Sequence, residues 1–245
     1  MNLTGNTILI TGGTSGIGLG LALRLHESGN TVIVAGRRTA LLDAITAEHP
    51  GIHGIELDVS DTDSLARAKA SIEADHPELN VLINNAGIMR QESVLDPADV
   101  RVAEDHIAVN LLGTIRATYA FLPTLLGKEG AAVLNVTSAL AFVPFPTTPT
   151  YSATKAALHS FTDALRVQLA ESGVQVVEIV PPGVQTDLFG PNEHALPLDD
   201  FLTELLGLLE ADPSASELVV QNARPLRDAV ADGTYSAVLA SLSGA

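Results

Sequence analysis

Short apolar segments rich in β-branched residues alternate with helical segments along most of this 245-residue chain. Apolar runs without a polar residue at every second position are typical of strands buried on both faces of a parallel sheet. The alternation predicts one α/β domain over residues 1–245, a doubly wound parallel sheet with helices on both faces. We expect six strands, at Thr7–Thr11, Thr31–Ala35, Ile52–Asp58, Val81–Asn85, Ala132–Thr137 and Val174–Val180.

The composition narrows the range of functions. Apolar residues make up 46% of the chain and charged residues 17%, which opposes disorder. The net charge of −16 opposes nonspecific binding to nucleic acid or to an anionic membrane. Cysteine is absent and the seven histidines lack metal-ligand spacing, so we predict no metal site. The first residues lead directly into a strand without a signal peptide, and we therefore expect a cytoplasmic protein.

A glycine-rich turn joins the first strand to the first helix. Its glycines allow a tight turn and close approach of the backbone to a phosphate. The helix that follows presents free amides and a partial positive charge at its N-terminus, which suits a pyrophosphate. This strand–turn–helix unit predicts a Rossmann-type dinucleotide site formed by Gly12, Thr14, Ser15, Gly16, Ile17 and Gly18.

The end of the second strand indicates which dinucleotide is bound. An NAD site needs a carboxylate there for the ribose hydroxyl, whereas this chain has Arg37 and Arg38. A guanidinium can bind a 2′-phosphate through two hydrogen bonds, which predicts NADP(H). Surface salt bridges are the alternative role for the two arginines. Asp58, followed by Val59, is placed to accept a hydrogen bond from adenine, but a turn residue at a helix entrance fits equally well.

Tyr151 and Lys155 are four residues apart, which puts both side chains on one helix face. A neighbouring ammonium would lower the pKa of the phenol and make it a usable general acid or base near neutral pH. Ser138 stands thirteen residues before Tyr151, at the end of an apolar run. Together with the dinucleotide site, these residues predict an oxidoreductase that uses a nicotinamide cofactor.

In order and spacing, these motifs resemble the short-chain dehydrogenase/reductase family over residues 5 to 190. The double proline Pro181-Pro182, with segments 141–144 and 156–161, resembles the DltE-like subgroup of that family. The resemblance rests on Thr11–Gly18, Asp58-Val59, Asn84-Asn85-Ala86-Gly87, Asn110, Ser138, Tyr151, Lys155 and the proline-rich turn before Thr186.

The resemblance implies a role for each catalytic residue. Tyr151 would exchange a proton with the carbonyl oxygen of the substrate, and Ser138 would donate a hydrogen bond to the same oxygen. Lys155 would stabilise the tyrosinate and bind the nicotinamide ribose. Asn110 would hold a water that links the lysine to solvent. Further cofactor contacts are implied for Asn85, Ala86, Gly87, Pro181, Val184 and Thr186.

The substrate side is expected to be apolar, because no cation stands among its predicted lining residues. A medium-sized ketone or aldehyde suits such a pocket. Residues 188–210 begin as a loop and continue as a helical stripe of apolar residues, which we interpret as a lid over the pocket. A helix packed into the core is the alternative. The predicted lining residues are Leu140, Phe142, Val143, Pro144 and Phe189.

Residues 213–245 lack the β-branched run with which the family usually forms a seventh strand. We therefore expect six strands, and a homodimer through the helices around 100–126 and 153–171. The alternative to an enzyme is an NADP(H)-sensing regulatory protein. Such proteins usually lose the tyrosine or the lysine, and this chain has both.

Overall fold

One parallel sheet of seven strands, in the order β3-β2-β1-β4-β5-β6-β7, forms the centre of the protein. A computed structural model describes residues 1–190 and 194–243. The strands are β1 (Thr7–Thr11), β2 (Thr31–Gly36), β3 (Ile52–Glu56), β4 (Val81–Asn84), β5 (Ala132–Val136), β6 (Gln175–Val180) and β7 (Glu217–Val219).

The strand order reverses between β1 and β4, which pair in parallel. In open α/β sheets the loops diverge at such a point and leave a crevice beyond the carboxyl ends of the strands. Thr11 and Asn84, the last residues of β1 and β4, are partners in the register. The glycine-rich turn and the Asn85-Ala86-Gly87 segment therefore begin side by side.

Helices cover both faces, as predicted. Successive side chains of a strand point to opposite faces, so Ile8 and Ile10 belong to one apolar cluster and Leu9 to the other. No helix in residues 1–190 and 194–243 is long and apolar enough to cross a membrane. The helices are α1 (Gly16–Glu27), α2 (Thr39–Glu48), α3 (Thr62–Asp75), α4 (Val100–His106), α5 (Thr114–Leu125), α6 (Pro149–Gln168), α7 (Leu198–Ala211), α8 (Arg224–Arg227) and α9 (Tyr235–Leu242), with a π-helical segment, Ile107–Gly113, between α4 and α5.

The seventh strand corrects the expected count of six. Glu178, Ile179 and Val180 of β6 pair with Glu217, Leu218 and Val219 of β7 in parallel. A three-residue strand is too short to show an apolar period, and its identity as a strand comes from pairing with β6. Because the seventh strand is present, its expected absence no longer supports a dimer.

The predicted lid over residues 188–210 has two parts with different surroundings. Residues 188, 189, 194 and 195 line a cavity beyond the carboxyl ends of the strands. Residues 191–193 lie outside the described part of the chain. From Leu198 onward the segment is α7, and its apolar stripe, with Phe201 and Leu202, is buried in the core. Leu202 packs against Gly20 of α1 so closely that an added Cβ at position 20 would lie 2.4 Å from its Cδ1. For α7 this packing favours the alternative prediction, a helix packed into the core, and the lid stays a prediction.

A buried row of polar side chains fixes α6 to the sheet. The Asn84 amide donates to Asn135 Oδ1 at 2.9 Å, and the Asn135 amide donates to Thr162 Oγ1, also at 2.9 Å. Hydrogen bonds between buried polar groups define one arrangement, because a partner left unpaired there costs about 1–3 kcal/mol. This row sets the position of the helix that carries Tyr151 and Lys155.

Candidate active site

A cavity of about 1270 Å³ opens beyond the carboxyl ends of β1, β2, β4 and β5. It lies at the crevice where the strand order reverses. Five of the predicted site residues do not line it: Gly18, Asn110, Phe142, Val143 and Pro144. The others do: Gly12, Thr14, Ser15, Gly16, Ile17, Arg37, Arg38, Asp58, Val59, Asn85, Ala86, Gly87, Ser138, Leu140, Tyr151, Lys155, Pro181, Val184, Thr186 and Phe189.

The glycine-rich turn leaves no room for side chains at two of its positions. Gly12 has a φ of +67°, and a Cβ there would lie 2.8 Å from the Ala86 Cα. A Cβ on Gly18 would lie 2.4 Å from both the side-chain Nδ2 of Asn85 and the Gly12 carbonyl oxygen. That same Asn85 amide donates to the carbonyls of Thr11 and Gly12, at 3.1 Å each. Gly18 does not line the cavity, and its role is to let the Asn85 side chain and the Gly12 carbonyl pack closely against the start of α1.

The N-terminus of α1 lies at the cavity, which Ser15, Gly16 and Ile17 line. The Ser15 side chain, at the N-cap position, makes no capping hydrogen bond to the helix. Free amides and the positive end of the helix dipole suit a phosphate group. The geometry of the turn therefore fits the pyrophosphate of a dinucleotide.

The two arginines after β2 have different surroundings. The Arg38 guanidinium donates to Thr14 Oγ1 at 2.9 Å and to Ser15 Oγ at 2.8 Å, which holds it beside the glycine-rich turn. The side chain of Arg37 is 62% exposed, with its guanidinium 3.8 Å from Asp58 Oδ2. Arg38 is thus the better placed of the two to meet a phosphate on the adenosine ribose.

Asp58 makes the contacts of a turn residue, and its role at adenine stays a prediction. Its Oδ1 accepts hydrogen bonds from the Ser60 amide at 2.9 Å and the Ser60 hydroxyl at 2.6 Å, as a turn residue does. It also lines the cavity. Burial acts to raise the pKa of Asp58, but the Ser60 hydrogen bonds and the Arg37 charge outweigh it and hold the pKa below its usual value.

Tyr151 lies in the first turn of α6 and is 6% exposed. Burial raises the pKa of Tyr151 to about 12, although a hydrogen bond with the Ser138 side chain acts in the opposite direction. The phenol is therefore protonated at neutral pH. Ser138 reaches it from the end of β5, where its Oγ also accepts from the Leu140 amide at 3.1 Å. The predicted pairing of tyrosine and serine is present.

Lys155 lies on the same face of α6, as expected, but its amine is directed toward the sheet. Its Nζ donates to the Val136 carbonyl at 2.8 Å and is 5.7 Å from the centroid of the Tyr151 ring. Burial lowers the pKa of Lys155 to about 8. The expectation that the ammonium lowers the pKa of the phenol is not met here, because burial penalises the charged form of both side chains.

Asn110 lies in the π-helical segment and is fully buried. Its Oδ1 accepts from the Ile88 amide at 2.8 Å and its Nδ2 donates to the Ile88 carbonyl at 2.9 Å. The side chain thus braces the segment after Gly87. Its role in holding a water stays a prediction.

The turn after β6 forms one wall of the cavity. The Pro181 carbonyl accepts from the Ala139 amide at 2.8 Å, which joins this turn to the residue after Ser138. The Phe189 ring packs on Gly183, where an added Cβ would lie 2.7 Å from the ring. Thr186 packs on Gly16, at 3.3 Å from the place of its missing Cβ. The proline-rich turn therefore contacts both the segment after Ser138 and the glycine-rich turn.

The substrate side was predicted in part. Leu140 and Phe189 line the cavity, but Phe142, Val143 and Pro144 do not. The Phe142 ring packs between the Arg227 guanidinium, 4.6 Å from its centroid, and the His159 ring, at 4.8 Å. Val143 is fully buried in the protein and Pro144 is exposed. The short 3₁₀ turn Ala139–Ala141 reverses the chain, which the sequence pattern did not reveal.

Several lining residues were missed because they come from distant parts of the chain. Phe145 and Leu188 extend the apolar wall, and Arg90 adds a cation, paired with Asp105 at 2.8 Å. The β7 end and the last helices also reach the cavity, where no motif marks them. They contribute Gln221, Asn222, Pro225, Leu226, Ser241 and Leu242.

Outside the cavity, one group among the described residues has ligand atoms close enough for a metal ion, within 4.8 Å of one another: His159, Asp163 and Glu178. Glu178, the buried residue of this group, already has polar partners within the protein. Glu178 lies 2.7 Å from His159 Nδ1 and accepts from the Thr137 hydroxyl at 2.7 Å. These contacts form a cluster of polar side chains behind the strand end that carries Ser138. That no metal takes part stays a prediction.

Known proteins resemble this chain in sequence and in fold. Residues 6–196 match the family model described as short chain dehydrogenase. The uncharacterized oxidoreductase DltE of Bacillus subtilis is 43% identical over 189 residues, which cover 77% of this chain and 75% of that protein. The serine 3-dehydrogenase of Agrobacterium fabrum is 35% identical over 74% of this chain and 73% of its own. A short chain dehydrogenase from Burkholderia cenocepacia, solved in complex with NADP, superimposes with a TM-score of 0.83 at 28% identity and 99% coverage of both chains. The resemblance read from the motifs is confirmed, and the chain belongs to the short-chain dehydrogenase family.

Proposed function

We propose that this protein is an NADP(H)-dependent oxidoreductase that interconverts a carbonyl and a secondary alcohol. The observation that carries the proposal is the meeting of the Tyr151 phenol and the Ser138 hydroxyl in the same cavity as Arg38 and the glycine-rich turn. When bound, the nicotinamide supplies or accepts the hydride. The protein positions the carbonyl and manages its proton.

The protonation state of Tyr151 at neutral pH suits the reduction of a carbonyl. A phenol with a pKa of about 12 is protonated there, so Tyr151 is poised to donate a proton to the substrate oxygen. The Ser138 hydroxyl would donate a second hydrogen bond to that oxygen and fix its place. Lys155 and Asn110 would complete the group, the lysine at the nicotinamide ribose and the asparagine through a water.

The cofactor assignment rests on the contacts at the two ends of the site. Arg38 beside the turn, with no carboxylate at the end of β2, suits a 2′-phosphate. The Burkholderia cenocepacia relative was solved in complex with NADP. Pro181, Val184 and Thr186 would border the nicotinamide.

The substrate we propose is a small, largely apolar ketone or aldehyde. Leu140, Phe145 and Phe189 give the cavity an apolar wall, and Leu226 and Leu242 close it from the C-terminal side. The amides of Gln221 and Asn222 stand at the same rim and can bind a hydroxyl or a second carbonyl of the substrate. The regulatory alternative is not favoured, because both Tyr151 and Lys155 are present in the cavity.

Oxidation of NADPH with a panel of ketones tests this function. The wild-type protein is expected to turn over at least one apolar ketone, and Tyr151→Phe to lose about 10²- to 10⁴-fold in kcat. Tyr235→Phe is the matched control, since Tyr235 is partly exposed on α9 and does not line the cavity. Tight NADPH binding without turnover of any ketone would instead support a cofactor sensor.

We infer further that two copies associate through residues 100–126 and 153–171. Large apolar side chains are exposed on these helices, among them Tyr119, Leu126 and Val167. Light scattering measures the mass in solution, and a monomeric mass would contradict this. The cytoplasmic location remains an expectation from the sequence.

A further inference from the structure

The first turn of α6, which carries Tyr151, lacks a cap from its own N-terminal residue. Thr148 precedes the helix and makes no side-chain capping hydrogen bond, and its hydroxyl is buried without a partner. Pro149 has no N–H. The Thr150 amide instead donates to Glu92 Oε1 at 2.6 Å. The capping acceptor therefore comes from a segment that lies 58 residues earlier in the chain.

Glu92 is held in place by its own backbone. Its N–H donates to the Thr147 carbonyl at 3.0 Å, just before the helix. Its side chain is only 5% exposed, although its neighbours Gln91 and Ser93 are exposed. A carboxylate is seldom buried unless it is paired. Two hydrogen bonds, one from the backbone of Glu92 and one to its side chain, thus join this segment to the start of α6.

His106 lies between Glu92 and Tyr151 and is close to both side chains. Its ring is fully buried and meets the Tyr151 ring edge to face, with centroids 6.1 Å apart. Its Nε2 accepts from the Arg90 amide at 3.0 Å, and its Nδ1 lies 3.9 Å from Glu92 Oε1 without a hydrogen bond. Burial lowers the pKa of His106, which favours the neutral ring. With Nε2 as the acceptor, the proton is on Nδ1, on the side of Glu92.

We propose that Glu92 is a positioning residue for Tyr151: its carboxylate caps the first turn of α6 and lies beside the His106 ring, which packs against the phenol. The inference rests on the proposed function, since it concerns the residue that would transfer the proton. Neither Glu92 nor His106 lines the cavity. Glu92 therefore acts on the direction of the phenol and leaves cofactor and substrate contacts untouched.

The test compares Glu92→Ala, Glu92→Gln and, as a matched control, Glu104→Ala, whose side chain is exposed on α4. Glu92→Ala is expected to lower kcat about 10- to 100-fold, because a reacting group displaced by about 1 Å loses on that order. The KM for the ketone and the Kd for NADPH stay within about twofold of wild type. Glu92→Gln recovers most of kcat, because its Oε1 accepts the same hydrogen bond. Glu104→Ala behaves as wild type.

Hydrogen exchange measures the cap without any turnover. The peptide containing Thr150 and Tyr151 is expected to exchange about 2- to 30-fold faster in Glu92→Ala than in wild type. Equal exchange and equal kcat in Glu92→Ala and Glu104→Ala would overturn the proposal, as would a Glu92→Gln variant as impaired as Glu92→Ala. If Glu92→Ala does not fold, Glu92→Asp carries the same expectations. Full activity in Tyr151→Phe would instead remove the proposed function, while the exchange result would still decide the cap.

Discussion

Replacing Arg38 by alanine is expected to remove most of the preference for NADPH over NADH. The guanidinium is held beside the glycine-rich turn by Thr14 and Ser15, at 2.9 and 2.8 Å. A hydrogen bond to a charged group contributes about 1.5–3 kcal/mol, and the exposed position of Arg38 keeps the total near one such bond. That corresponds to an increase of about 10- to 150-fold in the Kd for NADPH. NADH has no 2′-phosphate, so its Kd should change little.

Titration of the protein with NADPH and with NADH, followed by fluorescence, measures both constants. Arg37→Ala is the matched control, because Arg37 is more remote from the turn and interacts with Asp58. It should raise the Kd for NADPH by a few-fold at most. An equal loss of affinity for both cofactors in Arg38→Ala would refute the reasoning, and so would a larger loss of NADPH affinity in Arg37→Ala.

Two further predictions concern stability. Burial lowers the pKa of Lys155 from the ordinary 10.5 to about 8. Between these two pH values the Lys155 amine is protonated in the unfolded chain and neutral in the folded protein. Stability of the wild type therefore rises as pH rises from about 8 to 10.5, whereas Lys155→Met lacks this rise, a difference of at most about 3 kcal/mol in denaturant unfolding. A pH-independent difference between the two proteins would contradict it. Leu202→Ala should cost about 2–5 kcal/mol in thermal unfolding, because Leu202 is 3% exposed in the core. An unchanged melting temperature with an altered KM would instead mark α7 as a lid.

The sequence predicted those features that depend on local pattern. Apolar runs located six strands, and glycine spacing located the turn at Gly12 and Gly18. β7 escaped because three residues show no period. The role of α7 was left open because a stripe with Phe201 and Leu202 has the same spacing on a lid and in a core.

Contacts between distant segments could not be predicted. The spacing of Tyr151 and Lys155 placed both on one helix face, but it did not show that the amine donates to Val136, nineteen residues earlier. The extent of burial, which raises the pKa of the phenol, depends on the whole fold. Glu92 belongs to no motif, and only the folded chain brings it to the start of α6.

The π-helical segment Ile107–Gly113 makes the length of the chain matter as much as its residues. A π-turn holds one residue more than an α-helical turn. If these seven residues became α-helical without the loss of one, α4 would rotate against α5 by about 100°. His106 would then leave the Tyr151 ring, or Phe121 of α5 would leave the core. Deleting one residue here while restoring the α-helix would keep both faces nearly in place, so the wide turn absorbs one extra residue of chain.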